Sequence, residues 1–192
     1  VASTQAQTTT FANPSGSLTI NASGGTDVVN LNSLAANYAA LTVNVWDDTD
    51  IVHINGPISL AVDRDFTVSG GAIDLPNGSS DVRVQGSGSI ILTAGQNIAL
   101  DWDSSLLSED GAISLTALTG PAFSGGFAGI YLGQARIASV DGDIELTSNG
   151  AGTATSSFLG IALANGANIT TSGLGNVSLI GKGGDAAAGT RH

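Results

Sequence analysis

Apolar and polar residues alternate in short runs along this chain, and one such run recurs. GSIILTA at 88–94 returns as GAISLTA at 111–117, GDIELTS at 142–148 and GNVSLIG at 175–181. In every copy two aliphatic residues stand two apart: Ile90/Leu92, Ile113/Leu115, Ile144/Leu146 and Val177/Leu179. A strand sends alternate side chains to opposite faces, so each copy predicts a strand with one apolar and one small polar face. The leading glycine of each copy is expected to supply the backbone freedom for a bend into the strand. One such strand cannot bury its own apolar face, whereas a stack of them can.

Other echoes surround this unit. SLTIN at 17–21 is repeated as ALTVN at 40–44, and DVVNL at 27–31 as DIVHI at 50–54, both at an offset of 23 residues. Between them, SLAANYAA at 33–40 reads as a helical turn too short to count as a helix. Strands are predicted over 58–62, 66–69, 72–75, 81–85 and 89–93, with a Pro-Asn-Gly turn at 76–78. Farther on the period lengthens. IAL at 98–100, IYL at 130–132 and IAL at 161–163 are spaced by 32 and 31 residues, and Ile113, Ile144 and Val177 by 31 and 33.

Each long repeat therefore holds three short strands separated by bends. In-phase echoes of that kind predict an all-β parallel β-helix (β-solenoid) with three short strands per coil, the coils lying roughly 4.8 Å apart. A β-sandwich, the competing all-β fold, carries no such in-phase echo. The whole of 1–192 is expected to be a single β-solenoid segment of a longer protein. Coils of about 23 residues are placed over 11–87, and coils of about 31–33 residues over 88–192. The stretches 118–127 and 149–158 fall at one phase of successive coils, so they are expected to protrude one above the other. The tail at 182–192 occupies the equivalent place after the last strand.

Composition narrows the function. Hydrophobic residues make up 42% and charged residues only 11%, with 27 glycines, which suits an ordered β chain with many turns. Sixteen acids face five Lys and Arg, a net charge of −11 that would repel a phosphate backbone and argues against nucleic acid. No run of eighteen apolar residues is present, so membrane insertion is not expected. The absence of cysteine excludes disulfides, thiolate catalysis and Cys-ligated zinc.

GQNIAL, DGDIELTS and LGNVSLIG, set between glycine turns over 86–181, give the chain a pattern that resembles the filamentous-haemagglutinin class of bacterial proteins. The earlier NPSGSLTINASGGTDVVNLNSL is similar to strand repeats of giant bacterial surface proteins. The resemblance implies a right-handed parallel β-helix, export to the bacterial cell surface or beyond it, and a fibrous or adhesive role. It brings no catalytic residue.

Candidate sites are few. Asp27, Asp47, Asp48 and Asp50 would be stacked by the 23-residue echo, which makes them a candidate calcium site or else a solvated acidic turn. No other cofactor is implied. Trp102, between Asp101 and Asp103, is a candidate for stacking on a sugar ring, set against packing over a strand end. Phe123, Phe127 and Phe158 are candidate anchors on the loop edge, or plugs at the loop bases. Asp63-Arg64-Asp65 has the carboxylates of a polysaccharide-cleaving β-helix but reads more simply as an exposed ion pair. His53 falls opposite the apolar face and is expected at the surface. The Asn-x-Ser/Thr sequons at Asn21, Asn77, Asn168 and Asn176 read as products of composition.

These observations favour a non-enzymatic structural rod of a large secreted bacterial surface, matrix or adhesin protein. Its expected partners are other copies or further coils of the same protein. The alternative is a carbohydrate- or cell-binding adhesin module, with a glycan or a host or neighbouring cell surface as its partner, and after that a polysaccharide-degrading enzyme.

Overall fold

The structure, a computed structural model, describes residues 12–45, 47–117, 128–149 and 159–183. Among these residues there is no helix, and none therefore long and apolar enough to cross a membrane. The chain instead makes successive circuits of short strands. The first circuit is β1 (Ser17–Ala22), β2 (Val28–Leu31) and β3 (Leu34–Tyr38), and the second β4 (Ala40–Val45), β5 (Ile51–Ile54) and β6 (Ile58–Val62). Then come β7 (Phe66–Leu75) with β8 (Asp81–Gln85), and β9 (Ile90–Asp101) with β10 (Ser105–Leu107). The fifth circuit is β11 (Ile113–Ala117), β12 (Ala128–Gly133) and β13 (Arg136–Ser139). It is followed by β14 (Ile144–Asn149), β15 (Leu159–Ala164) and β16 (Asn168–Thr171), and β17 (Val177–Lys182) begins a seventh.

Every pairing is parallel and joins a strand to its counterpart one circuit away. Row one runs β1-β4-β7-β9-β11-β14-β17. Row two runs β2-β5, through the later parts of β7 and β9, to β12 and β15. Row three runs β3-β6-β8-β10-β13-β16 as a separate six-stranded sheet. All-β parallel stacking in chain order is consistent with a parallel β-helix, and it leaves each backbone bonded to the circuits on either side.

Register explains the alternation in the sequence. Leu18, Leu41, Phe66, Ile90, Ile113, Ile144 and Val177 lie over one another, as do Ile20, Val43, Val68, Leu92, Leu115, Leu146 and Leu179. Row two adds Val29, Val52, Ile73, Ile98, Ile130 and Ile161. A one-residue slip would turn each of these columns outward, so burial itself fixes the register. The residues from Leu41 to Leu146 in these columns are almost wholly buried and form one continuous core. At the last circuit the cover ends: Val177 is 44% and Leu179 47% exposed, against 0% for Ile144 and Leu146 directly beneath.

Three expectations need correcting. The stretch SLAANYAA contains strand β3, not a helical turn; Leu34 pairs with Ile58, and Asn37 breaks the run with a left-handed φ of 67°. The separate strands expected at 66–69 and 72–75 are one strand, β7, which passes from row one to row two. The short spacing persists from Ile90 to Ile113, one row-one interval beyond the change placed near 88, and the first long interval there is Ile113 to Ile144.

The repeated glycines also do something other than bend. Gly88, Gly111, Gly142 and Gly175 are not among the glycines with positive φ. A Cβ on Gly111 would lie 1.9 Å from the Gly88 carbonyl oxygen, one on Gly142 2.0 Å from that of Gly111, and one on Gly175 2.2 Å from that of Gly142. These glycines form a column of their own, and what they supply is the missing side chain that lets one circuit's backbone touch the next.

Candidate functional site

The acids that looked like chemistry are mostly brackets between circuits. Asp50 is completely buried; its Oδ1 accepts the Asp27 backbone N–H at 2.8 Å and its Oδ2 that of Asp47 at 3.0 Å. The Asp48 backbone carbonyl accepts a hydrogen bond from Gln96 Nε2. Asp27 Oδ2 is buried with no hydrogen-bond partner among the described residues. Stacking does bring Asp27 and Asp50 together, as the echo implied. Among the described residues, however, no three His, Asp or Glu side chains converge on a position where they could hold a metal ion.

The same use recurs at the corner between rows three and one. Asp63 Oδ1 accepts both the backbone N–H and the hydroxyl of Ser87, at 2.8 and 2.9 Å, and Asp65 Oδ1 accepts the Ser89 N–H at 2.8 Å. The Ser87 bonds, with the Arg64 charge as a smaller contribution, hold the Asp63 carboxyl below the ordinary aspartate range. Glu109 Oε2 accepts from Gly86, Asp141 from Leu174, and Asp143 from both the N–H and the amide of Asn176. Those bonds likewise depress the Asp143 pKa. Carboxylates suit these corners because the turning chain leaves N–H groups outside the strand ladders, and a charged acceptor makes the stronger bond.

His53 is not simply a surface residue. It is half-buried in row two, with Nδ1 2.5 Å from Asp74 Oδ1 on the strand above. Asp74 was missed because nothing in the sequence marks a partner 21 residues away. On row three, a groove of about 300 Å³ includes Arg83, Glu109 and Arg136 in its lining, with Arg83 3.8 Å from Glu109.

Trp102 stands apart from all of these. The structure places it at the corner between rows two and three, 70% exposed, so it does not pack over a strand end. That corner is built from left-handed residues in successive circuits: Trp102 (φ 47°) and Asp103 (64°), then Gln134 (63°), then Asn165 (55°). Inter-circuit backbone bonds fix it, from Trp102 N–H to Gly133 O at 2.9 Å, from Asp103 N–H to Gln134 O at 3.2 Å and from Gln134 N–H to Ala164 O at 3.0 Å. Gln134 Nε2 donates to Asp103 Oδ1 at 2.9 Å.

Register sets Gly133 directly beside Asp101. A Cβ there would lie 2.6 Å from Asp101 Oδ1 and 2.9 Å from the Tyr131 hydroxyl, so the bare glycine leaves a notch into which both reach. The notch is lined by Asp101, Trp102, Tyr131, Gly133, Gln134 and Asn165. Partial burial, and secondarily the neighbouring Asp74 carboxylate, push the Asp101 pKa up. Trp102 and its flanking acids were legible in the sequence. Tyr131, Gln134 and Asn165 were not, because only the stacking register gathers them.

The loop-edge residues Phe123, Phe127 and Phe158 lie outside the described residues. The two segments that carry them leave row one after β11 and β14 and rejoin row two at β12 and β15. Compared with protein-family models, with characterised proteins and with solved structures, the chain matches none.

Proposed function

We propose that this chain is a rod segment of a large secreted bacterial surface, matrix or adhesin protein, built as a right-handed parallel β-helix with three strands per coil. The resemblance to filamentous-haemagglutinin repeats gives the handedness and the setting. The observation that carries the reading is the aliphatic column that stays in register from Leu18 to Val177. Columns of this kind resist bending and present edge strands that favour further coil-on-coil pairing. Filament growth by coil-on-coil stacking is part of the proposal.

The role is non-enzymatic in this reading, because Asp63 and Asp65 are engaged with the backbone N–H groups of residues 87 and 89. No bound cofactor is invoked. The test is negative-stain electron microscopy with analytical ultracentrifugation over a hundredfold concentration range. Thin rods that lengthen with concentration are expected, whereas compact particles of constant size throughout would overturn filament growth by stacking.

A second reading, an adhesive module that binds a glycan or cell surface through the 118–127 and 149–158 segments, is favoured by one observation. Both segments join the same two rows in consecutive circuits. Loss of cell or glycan binding when both are shortened is its expected signature.

A further inference from the structure

The Trp102 corner has the composition of a ligand site, and its chemistry is independent of whether the protein forms a filament. An indole 70% exposed to water on a corner held by inter-circuit backbone bonds costs little to order further when a ligand arrives. Its neighbours are not apolar. Asp101 offers carboxylate acceptors, Tyr131 a hydroxyl, and Gln134 and Asn165 amides that donate and accept, all around a glycine floor. A flat apolar face rimmed by mixed donors and acceptors matches the two surfaces of a pyranose ring, its C–H face and its equatorial hydroxyls.

We infer that the notch formed by Trp102, Asp101, Tyr131, Gly133, Gln134 and Asn165 binds a neutral sugar ring stacked on the Trp102 indole. Charge excludes an anionic sugar. No lysine or arginine lines the notch, Asp101 is an acceptor there, and the chain carries sixteen acids against five Lys and Arg. A uronic acid or a sulfated sugar would be repelled. The inference shares a ligand class with the loop-edge adhesin reading but not its residues, so the two fail separately.

The test is a ¹⁵N-¹H NMR titration of the full chain with methyl β-D-glucopyranoside, methyl β-D-galactopyranoside and N-acetyl-D-glucosamine, each to high millimolar concentration. The chain has two tryptophans, and the Trp102→Ala variant assigns their indole signals. Expected is saturable movement of the Trp102 indole signal and of the Gln134 and Asn165 amides with at least one of the three sugars. Affinity should fall about tenfold or more in Trp102→Ala, be largely retained in Trp102→Phe, and fall roughly fivefold in Tyr131→Phe. Circular dichroism of each variant should match the parent, since the indole is exposed.

Three results of the sugar titrations would overturn the inference. They are no saturable shift with any of these sugars, binding unchanged in Trp102→Ala, or tighter binding of glucuronate than of the neutral sugars. Calcium chloride alone should leave these signals in place; the same shifts with calcium alone would make the notch a cation site instead. Sugar binding that survives shortening of 118–127 and 149–158 but not Trp102→Ala supports this site and leaves the loop-edge reading without support.

Discussion

At the scale of single residues, absence matters as much as presence. Gly142 has no room for a methyl group, because its Cβ would sit 2.0 Å from the Gly111 carbonyl oxygen. Backbone cannot yield as a flexible side chain can. Gly142→Ala is therefore expected to destabilise the fold by about 3 kcal/mol, read as a lower urea midpoint, and a midpoint equal to the parent's would contradict the glycine column. The corner carboxylates make a second prediction, in pH. The folded-state pKa of Asp63 and of Asp143 lies below the ordinary aspartate value of 3.8, so the native state binds fewer protons there than the unfolded chain. Their contribution is complete above pH 3.8 and is lost as pH falls through the folded values. Asp63→Ala/Asp143→Ala should melt below the parent at pH 7, and the gap should close on acidification. A gap of constant size between pH 7 and pH 2 would sink the bracket role. The positions of Gly88, Gly111, Gly142 and Gly175 were legible in the sequence, but their reason was not, since a close approach between circuits leaves no local mark.

At the scale of elements, the alternation of Ile, Leu and Val foretold the strands because burial on one face is a period-two signal. It failed at β3, where small and polar residues around Asn37 carry no usable period. It also divided β7, because Gly70 and Gly71 look like a break. There the chain instead passes close to neighbouring circuits: a Cβ on Gly71 would lie 2.3 Å from the Asp48 carbonyl oxygen. Of the ligand-site candidates, Trp102 was visible as a lone aromatic among acids, while Tyr131 and Asn165 needed the register that sets circuit upon circuit. The columns predict a contrast between strands. Ile144→Ala in β14 should cost about 3–4 kcal/mol, as buried large-to-small changes do. Val177→Ala in β17, at the same column one circuit on and 44% exposed, should cost less than about 1 kcal/mol. Equal losses in urea denaturation would mean that β17 is covered in solution.

At the scale of the whole molecule, each circuit is held mainly by its neighbours, so protection should be graded along the stack. Amide hydrogen exchange is expected to be slowest in β7, β9 and β11, where both neighbours are present and the core columns are fully buried. It should be fastest in the terminal circuits, β1 to β3 and β15 to β17. Uniform protection from β4 to β17 would instead indicate one all-or-none unit. The departures from row one after β11 and β14 have a further consequence. Ile98 meets Ile130, and Ile130 meets Ile161, in unbroken register although the chain between rows has grown. This seam absorbs extra length without passing a frameshift to the rest of the scaffold, which makes it a natural grafting point. Two foreign peptides inserted there in adjacent circuits would have their attachment points about 5 Å apart, a spacing set by backbone hydrogen bonding rather than by either peptide.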